Sequence, residues 1–208
     1  MMNFSENKAD SNLANGKIQG VLLDFDGTLT EPFFDWKKIK NEMGIGDMLV
    51  LDAIKNATST EKQRLQNIME CHETASKENA IKAEGCDELL GYLAMRGIPH
   101  GVVTNNHREN VLHALLRYGF EIEVITGREC GYYKPSPEPL LITANLLGVE
   151  PSGCIFVGDS WIDSSAANGA GMKSIIVSDR EAAHEIAPDW HVENLPAALE
   201  IIRKLTSI

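Results

Sequence analysis

The sequence predicts an α/β protein, a doubly wound parallel sheet with a small helical cap inserted after the first core strand. Three observations carry this. Five short apolar runs, at residues 18–25, 98–104, 122–126, 154–157 and 174–177, are rich in β-branched residues and mostly unalternated, as strands covered on both faces are. Helical patterns separate them, so successive strands are joined by crossovers and run parallel. The stretch between the first two runs is too long for one crossover and holds only helical patterns.

Each helix has its punctuation. Asp35 caps a helix carrying Trp36, Ile39 and Met43, and "MLVLDAIKNA" reads as a second. Thr58 with Glu61 has the spacing of a capping box for a third, with Leu65, Ile68, Met69 and Ala75 as its apolar stripe. These three make up the cap, residues 31–84. Residues 17–30 and 85–208 form the core, and residues 1–16 a polar tail without an apolar h-region. In the core, a helix runs from about Cys86 to Arg96, with Leu89, Leu90 and Leu93 on one face and Gly97 as its stop. The next starts near Asn106, with Glu109 at capping-box spacing, and ends at Tyr118-Gly119. Another opens on Ser136 and Pro137 and closes at Gly148; short helices follow in "WIDSSAANGAG" and from about Leu195 to Leu205.

Bulk properties narrow the function. A chain of 208 residues can bury one sizeable core. A net charge of −11 argues against nucleic acid as a partner, since such surfaces are basic, but not against a small phosphorylated molecule. No apolar run reaches the roughly 18 residues of a membrane span. Cys71, Cys86, Cys130 and Cys154 are widely spaced, which suits reduced thiols and the cytoplasm.

Open parallel sheets bind ligands beyond the carboxyl ends of their strands. The first run ends in Asp24 and Asp26, with Gly27 turning the chain. The second ends in Thr104-Asn105-Asn106, and the fourth in "GDSWID" with Asp159 and Asp163; Lys134 follows the third in "YYKPSPEP". Like charges so placed cost desolvation and repulsion, so they need either plain solvent exposure, as in an acidic turn after a strand, or a cation that joins them. Converging carboxylates suit magnesium, a hard cation that keeps sites for water and phosphate. An aspartate can attack phosphorus, a second carboxylate can shuttle the proton, and lysine can offset the phosphoryl charge.

"DFDGTLT", "VVTNN", "KPSPEP" and "GDSWID", in this order, resemble the haloacid dehalogenase superfamily, and most of all its phosphoglycolate-phosphatase-like branch with a helical cap. The resemblance runs from Gly20 to about Val177. It implies Asp24 as nucleophile and magnesium ligand. It implies Asp26 as general acid and base, lending its backbone carbonyl to the metal. Thr104 would bind a phosphoryl oxygen, with Asn105 beside it, and Lys134 would hold nucleophile and phosphate together. Asp159 would ligate the metal, and Asp163 would do so directly or through water. The dehalogenases lack an acid at the position of Asp26, so its presence favours phosphate chemistry. The resemblance implies a magnesium-dependent phosphatase acting through an aspartyl-phosphate on a small phosphorylated substrate, with the cap as a lid that sets specificity.

Two other functions compete. A phosphosugar mutase would use the same residues but needs a cap that excludes water well. A phospho-accepting receiver module would place its acceptor aspartate on a later strand, whereas the third run here leads into "TGREC". Bland readings stand beside some site residues: Thr104 and Asn105 also suit a helix cap, and Asp163 a first-turn acid. His107 either touches substrate or is a surface or helix-capping histidine. Trp161 is placed at the site mouth. Lys37, Lys38 and Lys40 either draw an anion or line a solvated face.

Overall fold

The computed structural model describes residues 18–179 and 186–206, so the polar tail read at 1–16 lies outside the described residues. Six strands form one sheet: β1 (Gly20–Leu23), β2 (His100–Val103), β3 (Ile125–Thr126), β4 (Cys154–Gly158), β5 (Lys173–Val177) and β6 (Trp190–Val192). Their order is β3-β2-β1-β4-β5-β6, and every neighbouring pair is parallel. The five apolar runs each contain or closely match a strand. The sixth, β6, went unread: Trp190-His191-Val192 is three residues long, with His191 exposed at the sheet's edge.

Both faces of the sheet are covered, which is why the strands do not alternate with polar residues. Val21 and Leu23 of β1 pack on one side with Val102, Ile155 and Val157, beneath helices α4 (Cys86–Met95), α5 (Arg108–Tyr118) and α8 (Leu195–Thr206). Leu22 packs on the other with Val103 and Phe156, beneath α6 (Glu138–Leu147) and α7 (Trp161–Gly169). Leu22, Leu23 and Phe156 are fully buried, each stabilising the fold by about 2–3 kcal/mol relative to exposure.

Between β1 and α4 lie α1 (Trp36–Met43), α2 (Val50–Asn56) and α3 (Ser59–Asn79). They surround their own apolar cluster, centred on Ile39, Met43, Ile54, Leu65 and Met69. Asp35 caps α1, accepting a 3.0 Å bond from the Lys38 amide. Thr58 precedes α3 without a side-chain cap bond, and Glu61 pairs with Arg64 at 2.6 Å instead; the capping box does not form. The segments leading in and out run side by side: Thr30 and Lys82 form an antiparallel bridge, Glu31 N–H donates to Ile81 (2.8 Å), and Ala83 N–H donates to Leu29 (3.0 Å). The three-helix unit rests on the core through Arg128–Glu73, through Tyr133 Oη donating to Asp52 (2.7 Å), and through Tyr118 Oη donating to the Ala80 carbonyl (2.7 Å). Among the described residues no helix is long and apolar enough to cross a membrane.

Candidate active site

The strand order reverses its direction of growth between β1 and β4, and the carboxyl ends of those two strands hold the acids. Asp24 and Asp26 follow β1; Asp159 follows β4, and Asp163 lies in the first turn of α7. Two glycines permit the approach. Gly27 has φ +87°, and a Cβ there would lie 2.5 Å from Asp159 Oδ2. A Cβ on Gly158 would lie 2.4 Å from the Asp163 side chain.

Lys134 sits at the centre, only 4% exposed. Its Nζ donates to Asp24 Oδ1 at 2.5 Å and to Asp163 Oδ1 at 2.7 Å. Burial opposes its charge, yet Asp163 and Asp24 outweigh burial and raise its pKa above the ordinary lysine value. Asn105 fixes the lysine's backbone: its Nδ2 donates to the Lys134 carbonyl (2.9 Å) and its Oδ1 accepts from the Lys134 amide (2.8 Å). Both ends of that amide are therefore spent on positioning Lys134. Asp163 Oδ2 accepts from Ser160 Oγ (2.8 Å), Ser160 N–H (3.1 Å) and Asp159 N–H (3.2 Å), closing a capping box on α7. Burial raises the Asp163 carboxyl, but Lys134 and Ser160 together hold it below the usual carboxylate range. Asp163 thus fills the helix-cap role of a first-turn acid and also pairs with Lys134.

The other three acids are held high. Burial pushes Asp24 up to about 6 against the pull of Lys134, and lifts Asp26 to about 7, with the Asp24 charge adding to the effect. Asp159 rises to about 8, through burial first and then through Asp163 and Asp24. Asp26 Oδ2 accepts from Asn106 Nδ2 (3.2 Å) and Thr104 Oγ1 (3.5 Å), while its Oδ1 is buried with no hydrogen-bond partner among the described residues.

One carboxylate oxygen each from Asp24, Asp159 and Asp163 lie within 4.8 Å of one another. The donors are all oxygen, with no His or Cys among them, so the set fits a hard divalent cation such as magnesium. Burial is the first cause of the raised Asp24, Asp26 and Asp159 carboxyls, and the like charges of the cluster add to it.

The structure brings together Asp24, Asp26, Thr104, Asn105, Lys134, Asp159 and Asp163, all lining one cavity of about 330 Å³. Trp161 and Lys40 line it too. Lys37 and Lys38 line a separate hollow with His72, and His107 pairs with Glu129 at 2.5 Å on the exposed surface. Sequence reasoning missed three participants. Asn106, read as a helix start, is buried and bonded to Asp26, and α5 begins after His107 instead. Glu73 and Arg128 also line the cavity, paired across 55 residues. For Asn106 there was a signal, since it directly follows two polar residues at a strand end. For the ion pair there was none.

Comparison with known proteins agrees with this architecture. The haloacid dehalogenase-like hydrolase family model matches residues 35–177. A haloacid dehalogenase-like hydrolase domain-containing protein of Arabidopsis thaliana is 27% identical over 203 residues, covering 88% of this chain and 82% of its own. The phosphoglycolate phosphatase of Escherichia coli is 40% identical over 91 residues, covering 42% of this chain and 36% of its own. Among solved structures, a β-phosphoglucomutase of Clostridium difficile superposes with a TM-score of 0.71 at 21% identity, covering 91% of this chain and 97% of its own.

Proposed function

This chain belongs to the haloacid dehalogenase-like hydrolase family, and we propose that within it the protein is a magnesium-dependent phosphatase of a small phosphorylated metabolite. The observation that carries this reading is the convergence of Asp24, Asp159 and Asp163 beside the buried Lys134. The cation would be held by Asp24, Asp159 and the Asp26 backbone carbonyl, with Asp163 direct or through water. Once bound, it supplies positive charge that offsets the phosphoryl oxygens. Lys134 adds to that charge and aims the Asp24 carboxylate, while the Thr104 hydroxyl is placed to donate to a phosphoryl oxygen.

Asp24 attacks phosphorus, and the bond to the leaving oxygen breaks. Asp26 gives that oxygen its proton. Burial and the Asp24 charge hold the Asp26 carboxyl well above the usual carboxylate range, which favours the proton it must carry for this role. The leaving alcohol departs, and the ionised Asp26 removes a proton from the water that attacks the phosphorus of the aspartyl-phosphate. Asp24 is then released with inorganic phosphate. The helices of residues 36–79 serve as a lid that limits water and contacts the leaving group. Four unpaired cysteines support a cytoplasmic setting, and burial lifts the Cys86 and Cys154 thiols to about 12 and 11, away from reactivity.

Rapid acid quench of single turnovers, followed by borohydride reduction of the acyl phosphate and peptide mass analysis, tests the mechanism. The reduced side chain should be found at Asp24, and inorganic phosphate should be the product. Phosphate released with no trapped adduct on Asp24 at any quench time would mean direct attack by water, and isomerised ester without phosphate release would make the protein a mutase.

A further inference from the structure

The cavity above the acids has two unlike halves. Its floor is the charged cluster just described. Its walls are apolar: Phe34, Trp36, Leu49, Leu51 and Met69 come from the cap region, and Trp161 from the core. Phe34 and Trp36 lie with ring centroids 5.0 Å apart at 31°, and Trp36 and Trp161 keep 48% and 36% of their surface exposed. Exposed indoles beside a phosphate site offer flat surfaces to a leaving group.

The cations of this cavity tell the same story. Lys134 is spent on Asp24 and Asp163. Arg128 is the cation placed to meet a second anion on the substrate, and it is already taken. Its Nη1 and Nη2 donate to the two carboxylate oxygens of Glu73 at 2.5 and 2.9 Å. Glu73 is 2% exposed, so a second substrate anion would have to displace a buried carboxylate or lie beside it. Lys40, at the rim, donates to the Asp47 carbonyl at 3.2 Å; its charge would attract any phosphate ester without choosing among them.

We infer that the substrate is a phosphomonoester with no anion besides its phosphate, whose leaving alcohol is uncharged and aromatic, as in an aryl alcohol or a nucleoside. Trp36 and Trp161 stack against the ring. Glu73 is the residue that rejects doubly anionic esters, by occupying Arg128. This rests on the phosphatase reading and deepens it.

The test compares kcat/KM for esters of unactivated alcohols: 2-phenylethyl phosphate and uridine monophosphate against glycerol phosphate, phosphoglycolate and a sugar bisphosphate. The aromatic esters should lead the doubly anionic ones by about tenfold or more, the scale of one ring stacked on an aromatic side chain. E73Q should raise kcat/KM for phosphoglycolate and the bisphosphate several-fold relative to the aromatic esters. Trp36→Ala, at an exposed position that the fold tolerates, should lower the aromatic esters about tenfold more than glycerol phosphate. A parent enzyme that prefers phosphoglycolate or the bisphosphate, or a Trp36→Ala variant that keeps the parent ranking, overturns this inference and leaves the phosphatase reading intact. Release of phosphate from none of the esters overturns both.

Discussion

Removing divalent cations and then raising the pH should destabilise this protein, against the usual behaviour of buried aspartates that have good partners. Asp26 shows why. Its carboxyl ordinarily titrates near 3.8, and in the folded protein burial and the Asp24 charge push it up to about 7. The folded state therefore binds more protons than the unfolded state between those values, and stability falls as pH rises. The contribution is fully present below about 3.8 and is lost by the time pH passes 7. Asp24, at about 6, and Asp159, at about 8, act in the same direction. Asp163, held low, and Lys134, held high, have their effects below and above this window. For Asp26 alone, the rise from pH 5 to 7 corresponds to roughly 2 kcal/mol. In a chain of this size that lowers Tm by roughly 4–8 °C. Calorimetry in excess chelator across pH 5–8.5 measures the fall directly, and the same series in saturating magnesium should be much flatter. A chelated protein whose Tm is constant or rises across this range would refute the electrostatic account of the cluster.

Other substitutions probe the site more locally. Asp26→Ala should lose about a hundredfold or more toward alkyl phosphates, which need a proton donor, and less toward activated aryl phosphates, with the aspartyl-phosphate accumulating in quenched-flow samples. Lys134→Met should strip the compensating charge from Asp24 and Asp163 and cost about 3–5 kcal/mol, read by urea unfolding in chelator, with magnesium recovering part of it. Gly27→Ala would combine a left-handed backbone with a Cβ 2.5 Å from Asp159 Oδ2, so it should lower magnesium affinity and turnover together, as titration of activity against magnesium would show.

The sheet and its acids were legible for one reason. A parallel strand buried on both faces has to be apolar until it ends, so Asp24 after Val21–Leu23 and Asp159 after Cys154–Gly158 mark the same edge of the sheet without any knowledge of contacts. Local chemistry was legible where the competing partner was also local, as at Asp35. It failed where a distant group took the side chain. Asn106 has the composition of a helix cap, but Asp26, 80 residues earlier, uses its amide. The Glu73–Arg128 pair has no sequence signature, because α3 and the turn after β3 meet only in three dimensions. β6 was missed because three residues at an edge, one an exposed histidine, are too few to show a period.

The ladder joining residues 29–31 to 81–83 has an architectural consequence. Chain that leaves the core past Leu29 returns at Ala83 already hydrogen-bonded to it, so whatever lies between closes on itself. The entropy of closing such a loop grows only slowly with its length. The sheet should therefore be nearly indifferent to the size and content of what is mounted at this port. Shorter, longer or foreign inserts, spliced at these two positions, should leave the strand register and the acids of β1 and β4 unmoved. Substrate preference can then diverge through one exchangeable segment while the reaction chemistry is inherited unchanged.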